Sequence, residues 1–113
     1  MTLRLASRIT VSALIRRVGG LGGHAMVLAK GDGEAGSILL MLAERGLPYG
    51  LLERALTPSG DYGWRPAGPQ NVEGSEHFNP YIERRRASDP DLWVVELDVA
   101  GVERFAAEMI ATG

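Results

Sequence analysis

Cysteine is absent from this chain. That excludes a disulfide framework, a thiolate zinc site and a cysteine nucleophile. Lysine is nearly absent: Lys30 is the single one, against eleven arginines, so lysine-based catalysis has one candidate. Histidine occurs twice, at His24 and His77, and neither has a second histidine at ligand spacing. Long apolar runs are also missing. The longest wholly apolar stretch is Ile38–Ala43, whereas a membrane-spanning helix needs about 20 residues. Arginines interrupt the N-terminal "MTLRLASRITVSALIRR", which lacks the apolar core of a signal peptide. A cytoplasmic protein without a membrane partner is therefore expected. Charge of one sign is lacking too: 12 cations face 14 acids, for a net −2. This balance speaks against a dedicated nucleic-acid binder.

What remains is the composition of one globular domain. The 113 residues are 45% hydrophobic and 23% charged, enough to bury a self-standing core. Val11, Leu14, Ile15 and Val18 share one helical face, predicting a helix from about Leu3 to Val18. The glycines of "GGLGG" (Gly19–Gly23) end it. His24–Lys30 reads as a strand. Ser37–Glu44 is apolar at both parities, so strand and buried helix both remain open. "RGLPYG" (Arg45–Gly50) is turn chemistry, and Leu51–Leu56 reads as a strand. A hairpin turn is expected at Pro58–Asp61, then a short strand around Tyr62–Arg65. Phe78, Tyr81, Ile82 and Arg85 fall at helical spacing. That helix either starts at Pro80 with Asn79 as N-cap, or is kinked at an earlier turn. Leu92–Val99 alternates, with Trp93, Val95, Leu97 and Val99 on one side. Val102, Phe105, Ala106 and Met109 form a last helical face.

The segment Gly31–Gly36, "GDGEAG", spells G-x-G-x-x-G. A dinucleotide site would use Gly31, Gly33 and Gly36 for close backbone approach to pyrophosphate, followed by a helix N-terminus. Glu53, 20 positions after Gly33, would stand at the ribose position. Against this, Ile38–Leu42 would wrap apolar side chains around a whole helix, and Asp32 and Glu34 would set negative charge against phosphate. Gly-Asp-Gly between apolar runs is also an ordinary hairpin signal, and a strand–strand hairpin is the preferred reading.

Two other constellations carry chemistry. Asp89, Asp91, Glu96 and Asp98 faintly resemble the acidic set of a metal-dependent nuclease or hydrolase. The Asp91–Glu96 spacing is too short for that pattern, and Asp98 stands where a lysine would be needed. A solvated strand face for Glu96 and Asp98, with Asp89–Pro90 as the turn before it, explains them more simply. Arg84, Arg85 and Arg86 form a cation cluster able to grip an oxyanion or an acidic partner, or merely a solvated helix face. Trp64, in a loop-rich segment, is a candidate exposed contact.

Three segments, "RLASRITVSALIRR", "KGDGEAGSILL" and "ERRRASDPDLWVVELD", resemble a small alphaproteobacterial family defined by a conserved domain of unknown function. The resemblance covers nearly the whole chain. It implies a bacterial cytoplasmic protein of one domain, and it carries over no catalytic residue.

The expected fold is α+β: a small antiparallel sheet of four to five strands and three helices, in the order α-β-β-β-(β)-α-β-α, with the helices on one face. No cofactor is expected. The leading functional expectation is a non-enzymatic binding or adaptor module. Its contacts would be Arg84, Arg85, Arg86 and Trp64, and its partner a protein or a small anionic ligand. A homodimer through a sheet edge or an apolar helix face is also expected. The alternatives are a nucleotide-binding enzyme using Gly31–Gly36, or a metal-dependent hydrolase using Asp91 and Glu96.

Overall fold

The computed structural model describes residues 5–70, 72 and 74–112. The elements run α1 (Ser7–Gly20), β1 (His24–Ala29), β2 (Ile38–Glu44), β3 (Leu47–Leu56), β4 (Tyr62–Ala67), α2 (Ser75–Ser88), β5 (Trp93–Asp98) and α3 (Val102–Thr112). The five strands form one sheet in the order β1-β5-β2-β3-β4.

The α+β class and element order are as expected, but the sheet is mixed rather than antiparallel. β5 pairs antiparallel with β1 and parallel with β2. It does not extend the meander; it enters between the first two strands. β1 and β2 are therefore not hydrogen-bonded neighbours, and Gly31–Gly36 is not a hairpin turn. It is a strand–strand connection that passes over the start of β5. Consecutive strands usually pair, and that tendency misleads here.

The three helices do not share a face. α1 and α3 cover one side, where Val11, Leu14, Val18, Phe105 and Met109 cluster with Leu40, Leu42, Val95 and Leu97. α2 covers the other, where Phe78 and Ile82 meet Leu39, Met41, Leu51 and Val94. This division explains Ser37–Glu44. β2 lies at the sheet's centre with helices on both faces, so Ile38 through Ala43 are all buried. A strand buried on both faces has no reason to alternate.

The helix boundaries follow local chemistry. α1 starts at Ser7, later than the apolar pattern alone suggests, and runs through Gly19 and Gly20 before Gly22 turns with φ +81°. α2 starts at Ser75 and carries Pro80 inside it, so the earlier start is the one adopted. Only Arg45–Gly46 of "RGLPYG" is turn, and Leu47–Gly50 already belongs to β3. Arg45 (φ 52°) and Gly46 (φ 80°) are both left-handed. This is the two-residue turn whose twist suits a hairpin.

Candidate functional site

The loop Gly31–Gly36 is built for packing. A Cβ at Gly31 or Gly36 would collide with the carbonyl oxygen of Asp91, whereas one at Gly33 would meet only the Arg8 side chain at 3.7 Å. The loop's donors are largely spent internally. The Asp32 N–H donates to the Asp91 carbonyl at 3.0 Å and the Gly36 N–H to the Asp32 carbonyl at 3.2 Å. The Asp32 carboxylate accepts the N–H groups of Glu34 and Ala35 at 3.2 and 2.8 Å.

The loop's carbonyls serve α1. The Glu34 and Gly33 oxygens accept the N–H groups of Ser7 and Arg8 at 3.1 and 2.9 Å. Ser7, fully buried, donates its hydroxyl to the Gly36 carbonyl. Arg8 pairs with Glu34. Trp93 closes the packing by donating its indole N–H to the Asp32 carbonyl at 2.7 Å. A strand follows the loop, so the helix N-terminus that a dinucleotide site requires is not at its end. The nearest helix N-terminus is that of α1, already capped by the loop's oxygens.

Glu53, the would-be ribose acid, faces α2. Its carboxylate accepts from Arg85 and lies 3.6 Å from Arg65. Arg85 also donates to the Tyr81 hydroxyl at 3.0 Å. Partial burial opposes the Arg85 charge, but hydrogen bonds to Tyr81 and Glu53 and the Glu53 charge outweigh it. The guanidinium pKa is raised.

The arginine cluster is therefore divided. Arg85 is turned into the sheet, while Arg84 and Arg86 are exposed on α2. The Arg84 guanidinium lies 6.0 Å from the Tyr81 ring centre. Trp64 is elsewhere: it sits on β4 and packs, partly buried, against the α1/α3 core. The structure does not bring Trp64 and Arg84–Arg86 together.

The four acids of the metal reading are also spread apart. Asp89 accepts the Asp91 N–H at 3.0 Å in the turn before β5. Glu96 is half-buried within β5, and Asp98 ends the strand. The Asp98 carboxylate accepts both turn amides of the β2–β3 hairpin, Arg45 at 3.0 Å and Gly46 at 2.8 Å. Among the described residues no three His, Cys, Asp or Glu side chains gather to hold a metal ion. Among the described residues no helix is long and apolar enough to cross a membrane.

A wide concavity lies where no motif pointed. An open groove of about 940 Å³ wraps around the first residues of β3. Pairing between β3 and β4 reaches only Leu51↔Ala67. Residues 47–50 therefore extend beyond β4, with no strand beside their outer edge among the described residues. Val102, Ala106 and Ile110 of α3 wall one side; Pro66, Pro69 and Val72 wall the other. Leu47 (72% exposed), Tyr49 (45%) and Ile110 (41%) present apolar surface to solvent here. Glu44, Arg45, Gln70 and Glu103 supply the polar rim. Glu44 also accepts the Val102 N–H at 3.2 Å, which seats α3 against the groove. The one signal in the sequence was the apolar content of "GLPYG", which reads as turn because of its Gly and Pro.

Residues 5–107 match the family model described as a protein of unknown function, DUF1491. The chain is similar to a DUF1491 family protein from Caulobacter crescentus CB15 solved by NMR, at 35% identity and TM-score 0.71. That match covers 88% of this chain and 90% of the other. A crystal structure of a DUF1491 family protein from the same organism gives 33% identity and TM-score 0.74, over 84% and 88% of the two chains. The solution structure of a protein from A. tumefaciens gives 34% identity and TM-score 0.67, over 88% and 90%. No curated protein matches the chain. With the family model spanning most of its length, the chain belongs to the DUF1491 family.

Proposed function

We propose that the protein is a non-enzymatic binding module whose contact surface is the groove around Leu47–Gly50, and that its partner is a protein segment presenting apolar side chains. The observation that carries this reading is the groove itself. Its volume suits a few inserted side chains, its walls are aliphatic, and its polar groups stand at the rim. Exposed Leu47, Tyr49 and Ile110 in one place are more than scattered surface apolarity. Arg84 and Arg86 lie on the outer surface of α2 and remain secondary contacts for an acidic stretch of the same partner.

A random peptide library displayed on phage and selected on the full chain tests the reading. Apolar-anchored peptides should be enriched, and should bind at least tenfold more weakly to Leu47→Asp and Ala107→Arg, both exposed on the groove. Peptides that bind both variants as well as the parent, or whose binding falls only with Arg84→Ala and Arg86→Ala, would overturn it.

A further inference from the structure

Among the described residues the sheet has two outer edges, and they differ in side-chain chemistry. β4 carries the exposed charge of Arg65 and the ring of Pro66, both of which discourage further strand pairing. β1 carries no such residue between its ends. Met26 (59% exposed), Val27 (39%) and Leu28 (43%) lie open, flanked only by Ala25 and Ala29. On the α2 side, α2 packs over β3, which leaves Met26 and its neighbour Glu96 on β5 without a helix above them.

We propose that β1 pairs antiparallel with β1 of a second copy, across a two-fold axis normal to the sheet, forming one continuous ten-stranded sheet. An exposed strand edge is a template for another strand, and an isologous contact closes after two copies. Like charges stay apart in this arrangement. The strand's titratable groups are His24 at its start and Lys30 just past its end. Antiparallel pairing centred on Met26 sets each Lys30 four residues from the axis, so the two lysines stand roughly 26 Å apart. Each Lys30 then lies about two residues beyond the partner copy's His24, clear of the other lysine.

The register shift between Val27 and Ala29 marks a bulge at Leu28 and limits regular pairing to His24–Val27. The two-fold keeps both Met26 side chains on the same sheet face, where they shield each other. A contact this short belongs to the weak end of interfaces, with dissociation on the order of micromolar or above.

Sedimentation equilibrium of the full chain is the test. The mass should rise with concentration from 12.1 kDa towards twice that value and no further. Leu28→Lys and Met26→Lys, both at exposed positions, should hold it at the monomer. Should either variant fail to fold, a mixture of isotope-labelled and unlabelled parent chains should still show intermolecular NOEs between β1 backbones. A monomer at about millimolar concentration would overturn the proposal, as would a dimer that survives both substitutions or lacks those NOEs. So would growth beyond two copies, or a monomer whose β1 amides become protected only when an unrelated strand-forming peptide is added.

Discussion

Gly31, Gly33 and Gly36 share a motif, yet they do different jobs. Gly31 and Gly36 let the loop press against the Asp91 carbonyl, and Gly33 has room beside Arg8. A phosphate-binding turn would need all three. Gly31→Ala and Gly36→Ala should each cost about 2 kcal/mol or more, because backbone must move to relieve the clash. Gly33→Ala should fall within about 0.5 kcal/mol of the parent. Urea unfolding of the three variants checks this contrast; equal losses at all three would contradict the packing role. Asp98 makes a second residue-scale case. Its carboxylate holds two exposed turn amides, so Asp98→Ala should cost roughly 1–3 kcal/mol by removing two hydrogen bonds to a charged group, read as a lower midpoint in the same titration. An acid facing the amides of a hairpin distant in sequence leaves no local trace in it. That is why it reads as solvated strand, or as a metal ligand, until the β2–β3 turn is placed beside it.

The elements were largely legible one by one, and their arrangement was not. The alternation of Trp93, Val95 and Leu97 predicts a strand with one face on the core, and those three residues sit in the α1/α3 cluster. Phe78, Tyr81, Ile82 and Arg85 lie on one side of α2 as their spacing predicts, with Arg85 reaching Glu53 instead of solvent. β2, by contrast, is apolar at every position because helices lie on both its faces. The choice between strand and helix there depends on elements distant in sequence. β5 entering between β1 and β2 is a long-range event that no local pattern encodes. The β2–β3 hairpin carries an element-scale prediction of its own. Arg45 holds φ 52°, a conformation that costs most side chains about 1 kcal/mol. Arg45→Asn places Asn-Gly in a turn that prefers it. It should raise the thermal midpoint by a few degrees, about what 0.5–1 kcal/mol gives a domain of this size. An unchanged or lower midpoint in a thermal scan would count against the turn assignment.

At the scale of the molecule, the strongest sequence motif and the groove lie apart. "GDGEAG" joins α1, β1 and β5 at one end of the sheet, where its carbonyls cap α1 and its glycines admit Asp91. The groove lies at the end marked by the β2–β3 turn, on a stretch whose Gly and Pro make it read as connection. The candidate contacts drawn from sequence, Arg84–Arg86 and Trp64, fall on opposite faces because residues distant in the chain meet only through topology. Tyr49 stands at the exposed lip of the groove, so binding and stability should separate there. Tyr49→Ala, at a residue 45% exposed, should weaken a groove-bound peptide about tenfold while moving the unfolding free energy by less than about 1 kcal/mol. The most direct test is a proton–nitrogen NMR titration of the full chain with a peptide selected from the library. The account predicts shifts concentrated in residues 42–51, 66–70 and 102–110, with Arg84–Arg86 secondary. Shifts centred on α2 or on Gly31–Gly36, with the groove unmoved, would contradict it.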